Sequence, residues 1–79
     1  MRPSTSSVEP LEDYRLLITY KNGEKRIFDV KPLLHMNIFK KLKYKNFFKT
    51  VKCYASCVYW NDEIDICPDW TYEDSIPVD

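Results

Sequence analysis

Apolar and polar positions change their period twice along this chain, and each change marks a new element. The clearest tract is "YRLLITYKNGEKRIFDV", Tyr14 to Val30. Two β-rich runs flank Asn22-Gly23, a dipeptide that accepts two consecutive positive-φ residues and so favours a two-residue type I′ turn. With that turn, Lys21 faces Glu24, Ile18 faces Ile27 and Leu17 faces Phe28. One side of the hairpin then carries Leu16, Ile18, Tyr20 and Ile27, and the other carries Leu17, Phe28 and Val30. Apolar residues on both sides predict a central hairpin with partial cover on each face. Upstream, "VEPLED" predicts an edge strand or a turn, because Pro10 has no backbone donor to give a central ladder. Residues 1–7, rich in Ser, Thr and Pro, read as a disordered lead-in to a single domain over residues 8–79.

The period then lengthens. Pro32 suits the first turn of a helix, where its missing N–H costs nothing. Leu34, Ile38 and Leu42 follow at i, i+4 and i+8 with Phe39 adjoining, which predicts an amphipathic helix with Lys40, Lys41 and Lys43 outward. Phe47 and Phe48 predict a second helical turn. The favoured reading of these aromatics is core packing. Alternation returns in "VKCYASCVYWNDEIDIC", which predicts strands at Val51–Tyr54, Cys57–Trp60 and Ile64–Cys67. Val58 and Trp60 share one side, and Ile64 and Ile66 point inward while Glu63 and Asp65 face water. Asn61, Asp62 and Glu63 read as a turn. "CPDWTYEDS" predicts a last helix with Pro68 early and acids near its positive end, fraying at Pro77.

Four carboxylates and a thiol between Trp60 and Trp70 raise the question of a metal site or an acid/base pair. An EF-hand calcium loop fails, because alternate positions from Asp62 fall on Ile64 and Ile66. Asp65 is expected to serve structure by bonding turn amides. Zinc lacks a fourth ligand beside Cys53, Cys57 and Cys67, since His35 is the only histidine and lies far upstream. The one glycine, Gly23, belongs to the hairpin turn, so no phosphate-cradling loop is present. His35 has no Ser or Cys at a recognisable nucleophile elbow. The chain is expected to be no enzyme, with no catalytic residue, no metal and no cofactor.

Composition adds three constraints. Seventy-nine residues, 44% of them apolar, fit one small core. No apolar run approaches the ~20 residues needed to span a bilayer, and the first residues lack the apolar stretch of a secretory signal. Three cysteines, an odd number, argue against a disulfide framework and for a reducing cytoplasm, with the thiols mostly buried. Net charge is zero but unevenly laid out. Residues 31–52 hold seven lysines and no acid, and residues 53–79 hold seven acids and no base. Lys40, Lys41, Lys43, Lys45 and Lys49 are therefore the candidate contacts for a protein partner or, alternatively, for nucleic acid. The plainer reading is a solvated face balanced by the acidic third after folding.

The order of "DYRLLITYKNGEKRIFDVKPLL", "IFKKL", "FFKTV" and "VYWNDEIDICPDWTYEDS" resembles the bacterial family called domain of unknown function 2442. The matching positions are Asn22, Gly23, Phe28, Asp29, Pro32, Leu33, Phe39, Leu42, Phe48, Trp60, Asp65 and Pro68. Glu63 stands where the family usually places Gly. The resemblance implies an α+β domain: a small, mainly antiparallel sheet of two β-hairpins and an edge strand, packed with one or two short helices. It implies no catalytic residue. For some members it implies an antitoxin-like role beside a small partner. The expectation is a cytoplasmic, non-enzymatic protein-interaction module, acting on a partner or by self-association, with no membrane role. A nucleic-acid accessory domain using the lysines of segment 40–49 is the alternative.

Overall fold

The computed structural model describes residues 3–54, 57–61 and 64–78. Among these, seven strands build two antiparallel sheets. One sheet has the order β1-β2-β3-β7, from β1 (Thr5–Leu11), β2 (Arg15–Tyr20), β3 (Lys25–Asp29) and β7 (Ile76–Pro77). The other contains β4 (Lys52–Tyr54), β5 (Cys57–Tyr59) and β6 (Asp65–Ile66) in sequence order. Two short helices, α1 (Lys45–Phe48) and α2 (Pro68–Asp74), complete an α+β fold with 3-10 segments at Glu12–Tyr14, Lys31–Leu33 and Asn37–Lys43. One continuous core joins the two sheets, running from Leu16, Ile18 and Phe28 through Phe39 and Leu42 to Val58 and Ile66. Full burial of each such side chain contributes about 1.5–3 kcal/mol. No helix among the described residues is long and apolar enough to cross a membrane.

The first hairpin lies centrally as expected, but its register differs by one residue. Leu16 opposes Phe28, Leu17 opposes Ile27 and Ile18 opposes Arg26. The loop has three residues, Lys21 to Gly23. Gly23 N–H donates to Tyr20 O at 3.0 Å and Tyr20 N–H to Glu24 O at 2.8 Å. Only Gly23 takes positive φ here, at 91°, so the turn is not type I′. Asn22 instead accepts the Glu24 N–H on its side-chain oxygen at 2.9 Å. The shift has a clear physical benefit. It gathers Leu16, Ile18, Tyr20, Phe28 and Val30 onto one buried face and leaves Leu17 and Ile27 half-buried on the other.

Pro10 sits in β1 at the sheet edge, as its missing donor requires. The strand begins at Thr5, inside the segment expected to be a disordered lead-in. Thr5 and Ser7 already pair with Tyr20 and Thr19, across a register shift, because the edge of β2 offers them backbone partners. At the other end, Ile76 and Pro77 do not fray. They pair with Ile27 and Arg26, and Val78 N–H reaches Lys25 O at 2.9 Å.

The amphipathic helix expected after Pro32 does not form as one unit. Pro32 opens a 3-10 turn, Met36 is extended (φ −80, ψ 137), and Asn37–Lys43 is again 3-10. A 3-10 path repeats every three residues, so Phe39 and Leu42 point inward together. Ile38, placed in the stripe by α-helical spacing, is 57% exposed. The three strands of the second sheet and α2 form where expected, and Trp60 is buried with its Nε1–H on Phe48 O at 2.9 Å.

Candidate functional site

Two places concentrate polar chemistry. The first is a clasp at the tip of the β2–β3 hairpin. Because Arg26 opposes Ile18, its side chain leaves from the core side of the sheet and meets α2. Its Nε–H donates to Ser75 Oγ at 2.6 Å, Nη2–H to Ser75 O at 2.8 Å and Nη1–H to Glu24 Oε2 at 2.8 Å. The guanidinium carbon lies 4.4 Å from the Tyr72 ring centre, a cation–π geometry. Tyr72 O–H donates to Glu24 at 2.9 Å, and its ring meets Tyr20 edge-on at 5.2 Å. The Arg26 bond, with those from Tyr72 and Asn22, holds the Glu24 carboxyl below its usual pKa. The bond to Glu24, and then burial, pushes the Tyr72 phenol up. Sequence reasoning missed this clasp. The signal was available in the corrected register, which sends Glu24 and Arg26 to the same side as Ile18.

The second place is the lysine segment. Lys40, Lys41 and Lys43 lie in the Asn37–Lys43 3-10 segment, Lys45 begins α1, and Lys49 follows its end. All five are exposed, among exposed Ile38 and Tyr44, the latter at 72%. Among the described residues, the ion pairs are Glu24–Arg26 and Asp13–Lys31, so none of the five lysines is paired with an acid. Among the described residues, no ion pair joins these lysines to the acidic C-terminal third. Of the aromatics interleaved with these lysines, Phe39 and Phe48 are core residues and Phe47 is half-buried.

The structure divides the five. Lys45 and Lys49, one α-helical turn apart, line a cleft of about 600 Å³ whose other wall is the β1–β2 corner, Pro10 to Tyr14. That corner is unusual. Asp13 and Tyr14 both adopt left-handed backbone, at φ 63° and 58°. Such conformations cost on the order of 1–3 kcal/mol each in non-glycine residues and persist where surrounding contacts enforce them. Here the contacts are specific. Val30 N–H donates to Tyr14 O at 2.9 Å, Tyr14 O–H to Lys43 O at 2.5 Å, and the Tyr14 ring meets Phe48 edge-on at 5.4 Å. Lys31 Nζ pairs with Asp13 at 2.7 Å, and that bond and charge, helped by Arg15 and Lys45, hold the Asp13 carboxyl below its usual range. Asp tolerates the left-handed region, but nothing in the sequence marked Tyr14 for it.

The other singled-out residues are dispersed. His35 is exposed, and Asp65 faces solvent on β6. The turn amide expected to bond Asp65 is instead held by Asn61, whose Oδ1 accepts the Ile64 N–H at 2.8 Å. Asp62 and Glu63 of that turn, and the Ala55-Ser56 loop, lie outside the described residues. Cys53, Cys57 and Cys67 are free, and none is buried. Cys53 shares the inner side with Val58, but it sits on the edge strand β4 and is half-covered, which raises its thiol pKa. Cys67 is exposed at the position just before α2, with no side-chain bond to the helix. Among the described residues, no group of three or more His, Cys, Asp and Glu is placed to hold a metal ion.

Against this geometry, a family model described as protein of unknown function (DUF2442) matches residues 5–76. The chain belongs to that family. Searches of curated proteins and of solved structures each found no match. The matched span runs from the start of β1 to Ile76, and the residues of the clasp and of the cleft lie within it.

Proposed function

We propose that this DUF2442 chain is a non-enzymatic, cytoplasmic protein-interaction module that contacts an acidic partner through Lys40, Lys41, Lys43, Lys45 and Lys49. An antitoxin-like, partner-neutralising role is the specific form of this reading. The observation that carries it is the absence of acidic partners for these lysines among the described residues, on a surface that also exposes Ile38 and Tyr44. An unpaired cationic patch with apolar relief is suited to an acidic protein surface, where charge steers encounter and apolar contacts hold the complex. Three free cysteines are consistent with a reducing compartment.

The test is affinity purification of the tagged chain from its cell of origin, with nuclease treatment. The expected result is an acidic protein recovered near one-to-one, lost in the Lys40→Glu, Lys41→Glu, Lys43→Glu triple variant. Recovery of no stoichiometric protein overturns the reading.

The second reading, a nucleic-acid accessory domain on the same lysines, draws support from exposed Tyr44, a side chain able to stack on a base. It requires binding that weakens steeply with salt. It is the weaker reading, because Phe39 and Phe48 are committed to the core. A low-salt gel shift with no retarded species removes it.

A further inference from the structure

We propose that the cleft between the Glu12–Tyr14 corner and α1 is an anchor site for a carboxylate with an apolar or aromatic neighbour, presented by an extended acidic segment of a protein partner. This rests on the reading of the lysine segment as a partner surface and names the chemistry of its anchor.

Charge is the first argument. With Lys31 paired to Asp13 at 2.7 Å, three lysines (Lys31, Lys45 and Lys49) stand against two acids, Glu12 and Asp13, and the Lys45 charge also acts on Asp13. Neither Lys45 nor Lys49 is ion-paired among the described residues. Two ammonium groups one helical turn apart present convergent donors to one carboxylate.

Shape is the second. About 600 Å³ is a volume typical of sites that enclose a small ligand or a few side chains. Pro10, Leu11, Tyr14 and Phe48 supply apolar walls beside the ammonium groups. A bare inorganic anion leaves those walls wet, whereas an acid flanked by an aromatic or branched side chain covers them. A basic or purely apolar occupant leaves both lysines without a counter-charge.

Rigidity is the third. The left-handed Asp13 and Tyr14 backbone is braced by Val30, Lys43 and Phe48, and the edge-on Tyr14–Phe48 ring contact ties one wall of the cleft to the other. The walls are therefore set before any ligand arrives, which lowers the ordering cost of binding.

The experiment is an amide-resolved NMR titration of the full chain with N-acetyl-Glu-Phe-amide, its counterpart N-acetyl-Lys-Phe-amide, and phenylacetate. The expected result is saturable shifts at Leu11, Asp13, Tyr14, Lys45 and Lys49 with the Glu-Phe peptide. The Lys-Phe peptide is expected to bind at least tenfold more weakly. The Lys45→Glu, Lys49→Glu double variant, with unchanged shifts in β2 and β3 as the check on folding, is expected to lose tenfold or more. Equal response to both peptides, or shifts confined to other regions, overturns the proposal. Phenylacetate binding as tightly as the Glu-Phe peptide also overturns it, since the site then takes a free carboxylate and not a chain segment. The two readings fail separately. A cleft that binds the peptide while no partner is recovered from cells removes the surface reading alone. A partner lost on reversal of Lys40, Lys41 and Lys43, with a cleft that ignores the peptide, removes the anchor alone.

Discussion

Arg26 at the hairpin tip and Lys45 at the start of α1 are both cations in a small domain, and the fold treats them in opposite ways. Arg26 places three nitrogens on Ser75 and Glu24 and its guanidinium over Tyr72, joining positions 49 residues apart. Lys45, like Lys40, Lys41, Lys43 and Lys49, stays exposed without an acid among the described residues. The planar guanidinium suits the first task, because its fixed fork of donors matches several acceptors at once, whereas a hydrated ammonium group suits display. The backbone follows the same division. The clasp closes a four-stranded sheet by pinning β7 and α2 to β3. The lysine segment is 3-10 turned with poorer hydrogen-bond geometry, and it is anchored by few side chains, chiefly Phe39, Leu42 and Phe48.

The largest expected effect tests how far the lysine segment depends on those anchors. Leu42→Ala removes a fully buried side chain and should cost about 2–5 kcal/mol of unfolding free energy. Ile38→Ala, four residues earlier and 57% exposed, should change it by less than about 0.5 kcal/mol. Urea denaturation of both variants decides the matter, and similar losses at both positions would restore the continuous α-helix in place of the 3-10 path. Next comes the clasp itself. Arg26→Met should cost about 1.5–3 kcal/mol, the range for hydrogen bonds to charged groups with little exposure. Lys41→Met should be neutral within about 0.5 kcal/mol. Equal costs for the two would dissolve the contrast between a tied cation and a displayed one.

Much of the fold was legible because local signals agreed with it. Pro10 marked an edge, Pro68 with nearby acids marked α2, and alternation around Val58, Trp60, Ile64 and Ile66 marked the second sheet. What escaped the sequence were choices between near-equal local solutions. Asn-Gly fits a two-residue loop with both residues at positive φ and also ends a three-residue loop with only glycine there. The decision came from tertiary packing, which favours the register that puts Leu16 and Phe28 on one face. Leu34, Ile38 and Leu42 fit an α-helix as well as Phe39 and Leu42 fit a 3-10 turn, and the core selected the latter. The lysines of the candidate site were legible as a composition bias. Their division between an open surface and a cleft was not, because the second wall comes from Asp13 and Tyr14, about thirty residues upstream in an unsignalled backbone conformation.

The loop argument yields a smaller effect. At Gly23 a Cβ meets nothing within 4 Å, so any penalty of Gly23→Ala is conformational and not steric. At φ 91° that penalty should be about 1–2 kcal/mol, and Gly23→Asn should cost less, since Asn tolerates positive φ. The companion variant Asn22→Gly separates the two turns. It should destabilise, through loss of the side-chain bond to the Glu24 amide, and stabilisation would instead indicate that position 22 needs positive φ.

The smallest effect concerns the pH range over which the clasp stays closed. Glu24 has its pKa lowered by Arg26 first, then by Tyr72 and Asn22. A lowered carboxyl pKa means that the folded state binds protons less readily than the unfolded chain. Its contribution is therefore present above the ordinary carboxylate value, about 4.3, and fades as pH falls through the folded value. Tyr72 has its pKa raised, by the bond to Glu24 first. A raised phenol pKa gives stability that is complete below the ordinary value, about 10, and is lost as pH rises through the folded one. Both contributions are thus present together from about pH 5 to 9; the acid limb is shared by Glu24 and the Lys31-paired Asp13, and the alkaline limb depends on the Glu24–Tyr72 bond. Glu24→Gln should weaken both limbs of a stability-against-pH profile and leave the part of the acid limb due to Asp13, whereas Tyr72→Phe should flatten the alkaline limb and keep an acid one. The groups that shift Glu24 and Tyr72 include none of the displayed lysines, so the triple variant Lys40→Gln, Lys41→Gln, Lys43→Gln should leave both limbs in place. A profile in which that variant erases either limb would mean that the displayed lysines, and not the clasp, set the pH dependence of folding.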